Sequence, residues 1–496
     1  MKKNKRNTRL AKNTITGILF QVTTVICGFV LPRAILQNYG SNVNGLINSI
    51  AQFLQVIAFL ELGIGAVVQS ALYKPIANNE SDKISEIVAA GNGFFRKIAF
   101  VLAGYVITLL FLFPIFIDQE FGFIYDTLLI LAMSISYFAQ YYFGIIDRLF
   151  LNAAQMSYIQ NNINILTLLG NTIGCYILIN AGFSIQTIKL VTSVVFLIRP
   201  IILRIYINKH FSINRKARYN GNTIQQKWNG IAQHVAAIVL DSTDILVLSV
   251  FSSLNSVSIY SIYNIAVAGL RQLFFVAFSG IMPLFGELWA KKENEALNIY
   301  FNKTELILHY TVIIIWFCAS KLIVPFVMVY TQNVNDVSYN APVFALLICI
   351  ASAIYCLRMT YNSMILAAGH YKQTQHIFLL AACINLLVSI LLVNNIGLIG
   401  VAIGTITAML YQTIHMQYYC INRLGIYSYK KSVKQFLTDL LSIIVVILIT
   451  TKLQLISLTW IDWIVLSIKT LLIITSVVSA VYFILNYNII KKIIKR

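Results

Sequence analysis

Fourteen apolar stretches of about twenty residues dominate the chain, at 14–37, 44–73, 97–117, 127–151, 163–181, 187–207, 231–252, 257–288, 304–329, 342–367, 377–394, 398–421, 433–451 and 461–486. A run of that length forms a helix that crosses the ~30 Å hydrocarbon core of a bilayer. A helix is favoured there because it satisfies its own backbone polar groups where no water is present. Charged residues make up 11% of the 496 positions and hydrophobic ones 58%, against about 25% charged in a soluble domain. The expected fold is therefore all-α integral membrane, with about 14 transmembrane helices in two pseudo-symmetric six-helix lobes and a C-terminal helix pair.

The net charge of +20 raises nucleic acid as a partner. The basic residues, however, sit in short clusters between apolar spans, as topology determinants do. With the N-terminus placed in the cytoplasm, Lys2–Lys12, Lys74–Lys97, Lys209–Lys227, Lys291–Lys303, Arg423–Lys434 and Lys491–Arg496 bound the inner clusters. The outer loops hold almost no Lys or Arg, with Lys189 and Lys452 the main exceptions. This asymmetry predicts a multi-pass protein of the cell membrane with both termini inside. The membrane's anionic inner leaflet, rather than nucleic acid, is the partner of the basic clusters.

The longest inner loop divides the chain. Residues 1–209 form an N-terminal six-helix lobe, 210–230 a basic cytoplasmic linker and 231–425 a second six-helix lobe; 426–496 add two helices and a basic tail. The lobes echo one another. GLINSIAQFLQVIAFLELG in the second span and SIYNIAVAGLRQLFFVAFSG in the eighth both start polar, become rich in small residues and exit through an aromatic residue and a lysine. Parallel six-plus-six repeats are a transporter plan.

Polar residues inside the spans mark the candidate site, because a charge at the bilayer centre costs about 2.5–3.5 kcal/mol on insertion scales. The seventh span, GIAQHVAAIVLDSTDILVLSVF, carries Asp241 and Asp244 near its middle. At 100° per residue His234 and Asp241 share a face, with Asp244 about 80° away. Glu61 lies about 25 Å along the second span, which also bears Asn44, Asn48, Gln52 and Gln55 at helical spacing. Arg199, Arg271 and Arg358 lie roughly 18–24 Å into the sixth, eighth and tenth spans, where snorkelling to the outer face is difficult. Guanidinium groups facing a cavity suit a phosphate, since they stay charged and present a planar fork. The alternative is structural pairing with Glu61, Asp241 and Asp244. The carboxylates are candidates for gating or for H⁺ or Na⁺ coupling.

Enzymatic chemistry finds no home in this sequence. The external loops are short, the longest being about a dozen residues around Tyr330–Asn340. No nucleophile–base set, phosphate-cradling glycine loop or HExxH spacing occurs. The seven cysteines are scattered without CxxC pairs. No cofactor and no metal are expected.

Several stretches carry a resemblance: NYGSNVNGLINSIAQFLQVIAFLELGIGAVVQSALYKPIA (38–77), STDILVLSVF with VSIYSIYN (242–264), and AAGHYKQTQ with NLLVSILLVNNIGLIGVAIGTITAML (367–410). IRPIILRIYINKHFSINR (198–215) and the segment around Arg358 fit the same pattern. Over roughly residues 13–425 the chain resembles the Wzx-type bacterial flippases of polysaccharide repeat units. These belong to the MOP superfamily, with the MATE drug exporters and the lipid II flippase. The resemblance implies a MATE-like two-lobed bundle that works by alternating access. Its substrate would be an undecaprenyl-diphosphate oligosaccharide carried outward for capsule or exopolysaccharide assembly, with polymerase and chain-length machinery as partners. On that reading Arg199, Arg271 and Arg358 meet the diphosphate, helped by Asn48, Gln52 and Gln55, while Asp241, Asp244, Glu61 and His234 serve gating or ion coupling. Two alternatives are a lipid II or teichoic-type precursor flippase and a cation-coupled multidrug exporter. The first span has no acidic residue, whereas many drug exporters place a coupling carboxylate there. The first two spans also lack an arginine cluster of the kind expected in a lipid II flippase.

Overall fold

The structure is a computed structural model that describes residues 2–117, 120–218, 231–278, 280–451 and 453–494. Within these, the side chains at 2–7, 10, 58–63, 66, 231–235, 237–238, 241 and 487–494 are outside the described set. Three expected site residues, Glu61, His234 and Asp241, fall there, as does most of the basic linker (219–230).

Twelve described helices are long and apolar enough to cross a membrane. One of them, Ala11–Gln55, is bent at Gly40 (φ 83°) into two legs. Only glycine takes that backbone conformation at little cost. Counting the legs separately, and adding the helix Ile231–Phe251, gives the fourteen crossings read from the sequence. Large side chains such as Leu166, Leu391 and Ile484, each at least 70% exposed, suit a surrounding lipid solvent. The chain is an all-helical, multi-pass membrane protein.

It divides into two compact units, Met1–Ile238 and Val239–Arg496. The first contains α1 (Lys2–Gln55), α2 (Ala58–Asn78), α3 (Ser81–Phe116), α4 (Phe123–Ala139), α5 (Ile145–Ala153), α6 (Ser157–Asn180) and α7 (Ile185–His210). The second span is not one straight helix: a turn at Val56–Ile57 separates α1 from α2, so Glu61 belongs to a new helix. A π-helical turn, Gln140–Gly144, joins α4 to α5, widening the helix where it meets α7. A Cβ added at Gly144 would stand 3.2 Å from Cβ of Pro200, so glycine lets the two helices close. The α7 start is set by Ser184, whose hydroxyl accepts from the Thr187 amide at 3.4 Å.

The remaining helices are α8 (Ile231–Phe251), which straddles the division, then α9 (Leu254–Phe278), α10 (Ile281–Ala290), α11 (Asn294–Tyr330) and α12 (Pro342–Leu357). They are followed by α13 (Met359–Ala367), α14 (Tyr371–Ile396), α15 (Leu398–Asn422), α16 (Tyr429–Thr450) and α17 (Trp460–Ile494). Helix lengths repeat between the units. The α4–α5 pair has 17 and 9 residues and the α12–α13 pair has 16 and 9. Helices α6 and α7 have 24 and 26, against 26 and 25 for α14 and α15. The α14–α15 hairpin turns at Gly397 (φ 53°). Gly400 and Gly404 then bring the backbones together as a small-xxx-small pair. A Cβ on Gly400 would lie 2.7 Å from the Leu392 carbonyl carbon, and one on Gly404 would lie 3.0 Å from the Ser389 amide nitrogen.

Candidate functional site

Within the first unit, α4, α5, α6 and α7 surround a cavity of about 480 Å³. Its cations are Arg148, Lys189 and Arg199; Gln55, Gln140, Gln160 and Asn164 supply amides, and none of the described lining residues is acidic. Arg199 is fixed from two sides. Its Nε donates to Thr167 Oγ1 at 2.7 Å, and its guanidinium lies 4.0 Å over the Phe196 ring.

The three cations sit at different depths. Lys189 and Arg199 are ten residues apart on α7, or about 15 Å. Ser193 Oγ donates to the Ala132 carbonyl at 2.5 Å, and Gly144 abuts Pro200, so α4–α5 and α7 run parallel. Arg148, four residues past Gly144, therefore lies about 6 Å beyond that level. The cations span roughly 20 Å along the helix axes. At the level of Arg148 lies a buried ion cluster: Asp147, 1% exposed, meets Arg215 at 2.6 Å and Arg204 at 3.6 Å. Thus Arg215, grouped with the inner basic residues on sequence grounds, folds back onto α5.

Of the amides expected at the site, Gln55 lines this cavity. Asn48 instead donates within its own helix to the Asn44 carbonyl at 2.7 Å, and Gln52 is half-buried outside the cavity lining.

Arg271 and Arg358 occupy the second unit. Both guanidinium groups sit over the ring of Tyr355, at 5.4 and 4.3 Å. Arg271 also donates to Asn264 Oδ1 at 3.4 Å. Arg358 is 7% exposed at the break between α12 and α13, and its Nη1 has no hydrogen-bond partner among the described residues. A void of about 20 Å³ lies beside Arg271 and Asp244, enough for one water-sized guest.

Asp244, 7% exposed, is held by hydroxyls rather than by an arginine. Tyr260 donates to Oδ2 at 2.9 Å, and Thr405 reaches both oxygens at 3.0–3.1 Å. Asn385 sits next to it, linked to Thr243 at 3.4 Å and accepting from Ser389 at 3.1 Å. The sequence placed Arg199, Arg271 and Arg358 in one substrate site. The structure places Arg199 in one unit and the other two in the other, each with its own surroundings. Neither Arg148 nor Lys189 was assigned to the site from sequence. Lys189 stood out only as an exception to the charge asymmetry, whereas Arg148 is hidden beside Asp147 at the end of its span.

No family model and no curated protein matches the sequence. Among solved structures, the chain is similar to the lipid II flippase MurJ in an inward closed conformation: TM-score 0.70, 15% identity, 94% of this chain and 99% of that one. It is also similar to the eukaryotic MATE transporter AtDTX14, with TM-score 0.55, 14% identity and coverage of 86% and 98%. The Vibrio cholerae MATE transporter VcmN in its bent form gives TM-score 0.52, 12% identity and coverage of 83% and 97%. The fold is the one these transporters share. At such identities the likeness speaks for the fold alone.

Proposed function

We propose that this chain is a MOP-superfamily flippase that moves an undecaprenyl-diphosphate-linked oligosaccharide repeat unit to the outer face of the cell membrane. The observation that carries the reading is the cavity of the first unit: three cations, amides and, among the described residues, no acid in about 480 Å³. A lining of this kind attracts a diphosphate and repels the organic cations a drug exporter would carry. The amides and hydroxyls beside the cations suit a sugar headgroup. Arg271 and Arg358, backed by Tyr355, supply a second cationic locus. Asp244, with Tyr260 and Thr405 oxygens around it, is the candidate for Na⁺ or H⁺ coupling. The motifs at 38–77, 242–264 and 367–410 favour a polysaccharide repeat unit; the likeness to MurJ keeps a lipid II-type precursor as the second reading.

The test is reconstitution into liposomes with a fluorescent undecaprenyl-diphosphate oligosaccharide, followed by quenching from outside. Protein-dependent translocation that falls in Arg199→Ala supports the proposal. No translocation, together with transport of an organic cation such as ethidium, rejects it.

A further inference from the structure

A further group of cations lies on the outside of the first unit. The π-helical turn Gln140–Gly144 packs between α3 and α7. Such turns are rare and recur at functional sites. This one presents two successive rings to different neighbours. The Arg96 guanidinium of α3 lies 5.0 Å over the Tyr142 ring, and the Arg204 guanidinium of α7 lies 5.6 Å over the Phe143 ring. The two ring centroids are 4.6 Å apart. Arg96 is also near enough for its charge to act on Arg204. Neither arginine lines the cavity.

The two cations are poorly offset. Arg204 shares Asp147 with Arg215, which takes the carboxylate at 2.6 Å while Arg204 stands off at 3.6 Å. Its buried Nε has no hydrogen-bond partner among the described residues. Arg96 is exposed and makes no ion pair among the described residues. The surface beside them is apolar. On α3, Phe100 follows Arg96 by one turn and is 63% exposed; on α7, Ile201 precedes Arg204 by one turn and is 53% exposed. Phe100 also stands edge-on to Tyr142 at 6.1 Å. The third span begins just after Arg96 and the sixth ends near Arg204. Both cations therefore sit at one membrane boundary, and both apolar residues lie one turn further into the membrane. The charge asymmetry assigns this boundary to the cytoplasmic side. A phosphate head above acyl chains has the same order of polarity, whereas a soluble anion would leave the apolar side chains uncovered.

We propose that Arg96 and Arg204, seated on Tyr142 and Phe143, form a binding site for one anionic phospholipid of the cytoplasmic leaflet. The two guanidinium groups donate to its phosphodiester oxygens, and its acyl chains cover Phe100 and Ile201. The lipid ties α3 to α7 across the π-helical turn. The site is separate from the cavity and independent of which substrate the protein carries. Basic residues attract an anionic leaflet wherever they stand. A built site is distinguished by selectivity that depends on these two positions.

The experiment is native mass spectrometry of the full-length protein in detergent, titrated with dioleoyl phosphatidylglycerol or dioleoyl phosphatidylcholine. These lipids share their acyl chains and differ in head charge. The wild type should retain one phosphatidylglycerol about tenfold more tightly than phosphatidylcholine, the effect of one added charge-assisted hydrogen bond. Arg96→Gln and Arg204→Gln should each abolish that preference. The double variant Lys430→Gln, Lys431→Gln removes two exposed charges from the other unit and should leave it unchanged. Should Arg204→Gln fail to fold beside Asp147, Arg96→Gln gives the same reading from an exposed position. Equal retention of the two lipids by the wild type overturns the proposal. So does a loss of preference in the double lysine variant as large as in Arg96→Gln, since that is general attraction to a basic face. Undecaprenyl phosphate retained more tightly than phosphatidylglycerol, and released in Arg96→Gln, would make the carrier lipid the occupant and overturn it as well.

Discussion

Replacing Arg199 by alanine tests the cavity of the first unit most sharply. The side chain is held by Thr167 at 2.7 Å and by the Phe196 ring at 4.0 Å, so it is restrained before a ligand arrives. A hydrogen bond to a charged partner contributes about 1.5–3 kcal/mol. Losing one such bond to a diphosphate weakens binding roughly 10- to 150-fold, at 1.4 kcal/mol per factor of ten. The fold should tolerate the change. Arg199 and Lys189 are like charges about 15 Å apart, and at an effective dielectric of 20 they repel by about 1 kcal/mol. Removing one therefore relieves repulsion and leaves no opposite charge unpaired, at the cost of the Thr167 hydrogen bond. Arg199→Lys keeps the charge but loses the fork and the Thr167 tie, so it should fall between the two. Thr167→Val, which leaves the charge intact, should weaken binding only about fivefold, for a loss of about 1 kcal/mol. The assay is equilibrium binding of radiolabelled undecaprenyl diphosphate to purified protein in detergent, with unfolding temperature as the control. An Arg199→Ala protein that binds as tightly as the wild type would show that Arg199 does not meet the diphosphate.

Lys189→Ala and Arg148→Ala should each reduce translocation by about tenfold or more in the liposome assay, because each removes the cation from one depth of the cavity. Asp244→Asn preserves the Tyr260 and Thr405 geometry but removes the charge; it should abolish the dependence of translocation on a Na⁺ or H⁺ gradient while leaving substrate binding unchanged. Gly400→Ala should destabilise the protein by about 1–3 kcal/mol, read as a lower unfolding temperature, because its Cβ would strike the Leu392 backbone. Gly104→Ala, with nothing within 4 Å of the added Cβ, is the neutral control.

The sequence carried the fold further than the site. Helix number followed from span length, since a bilayer fixes how many apolar residues a crossing needs. The pairing of similar second spans anticipated units whose later helices match in length. The break at Val56–Ile57 and the π-turn at Gln140–Gly144 were not legible, because hydropathy averages over a span and does not register a local change of winding. Arg199, Arg271 and Arg358 stood out as charges in apolar surroundings. Which of them share a cavity depends on tertiary packing that a linear pattern does not hold. The meeting of Arg96 and Arg204 around Tyr142 and Phe143 was missed for the same reason. Arg96 lies at the start of the third span and Arg204 near the end of the sixth, and neither segment alone suggests a partner.

Movement of a lipid-linked oligosaccharide across the membrane is best measured in the protein's own host. The gene would be deleted, then lipid-linked oligosaccharide extracted and measured alongside surface polymer. For a flippase, undecaprenyl-diphosphate oligosaccharide should accumulate while surface polymer is lost, and wild-type protein but not the Arg199→Ala variant should restore both. Unchanged lipid-linked pools and normal surface polymer, with altered sensitivity to cationic dyes, would contradict it.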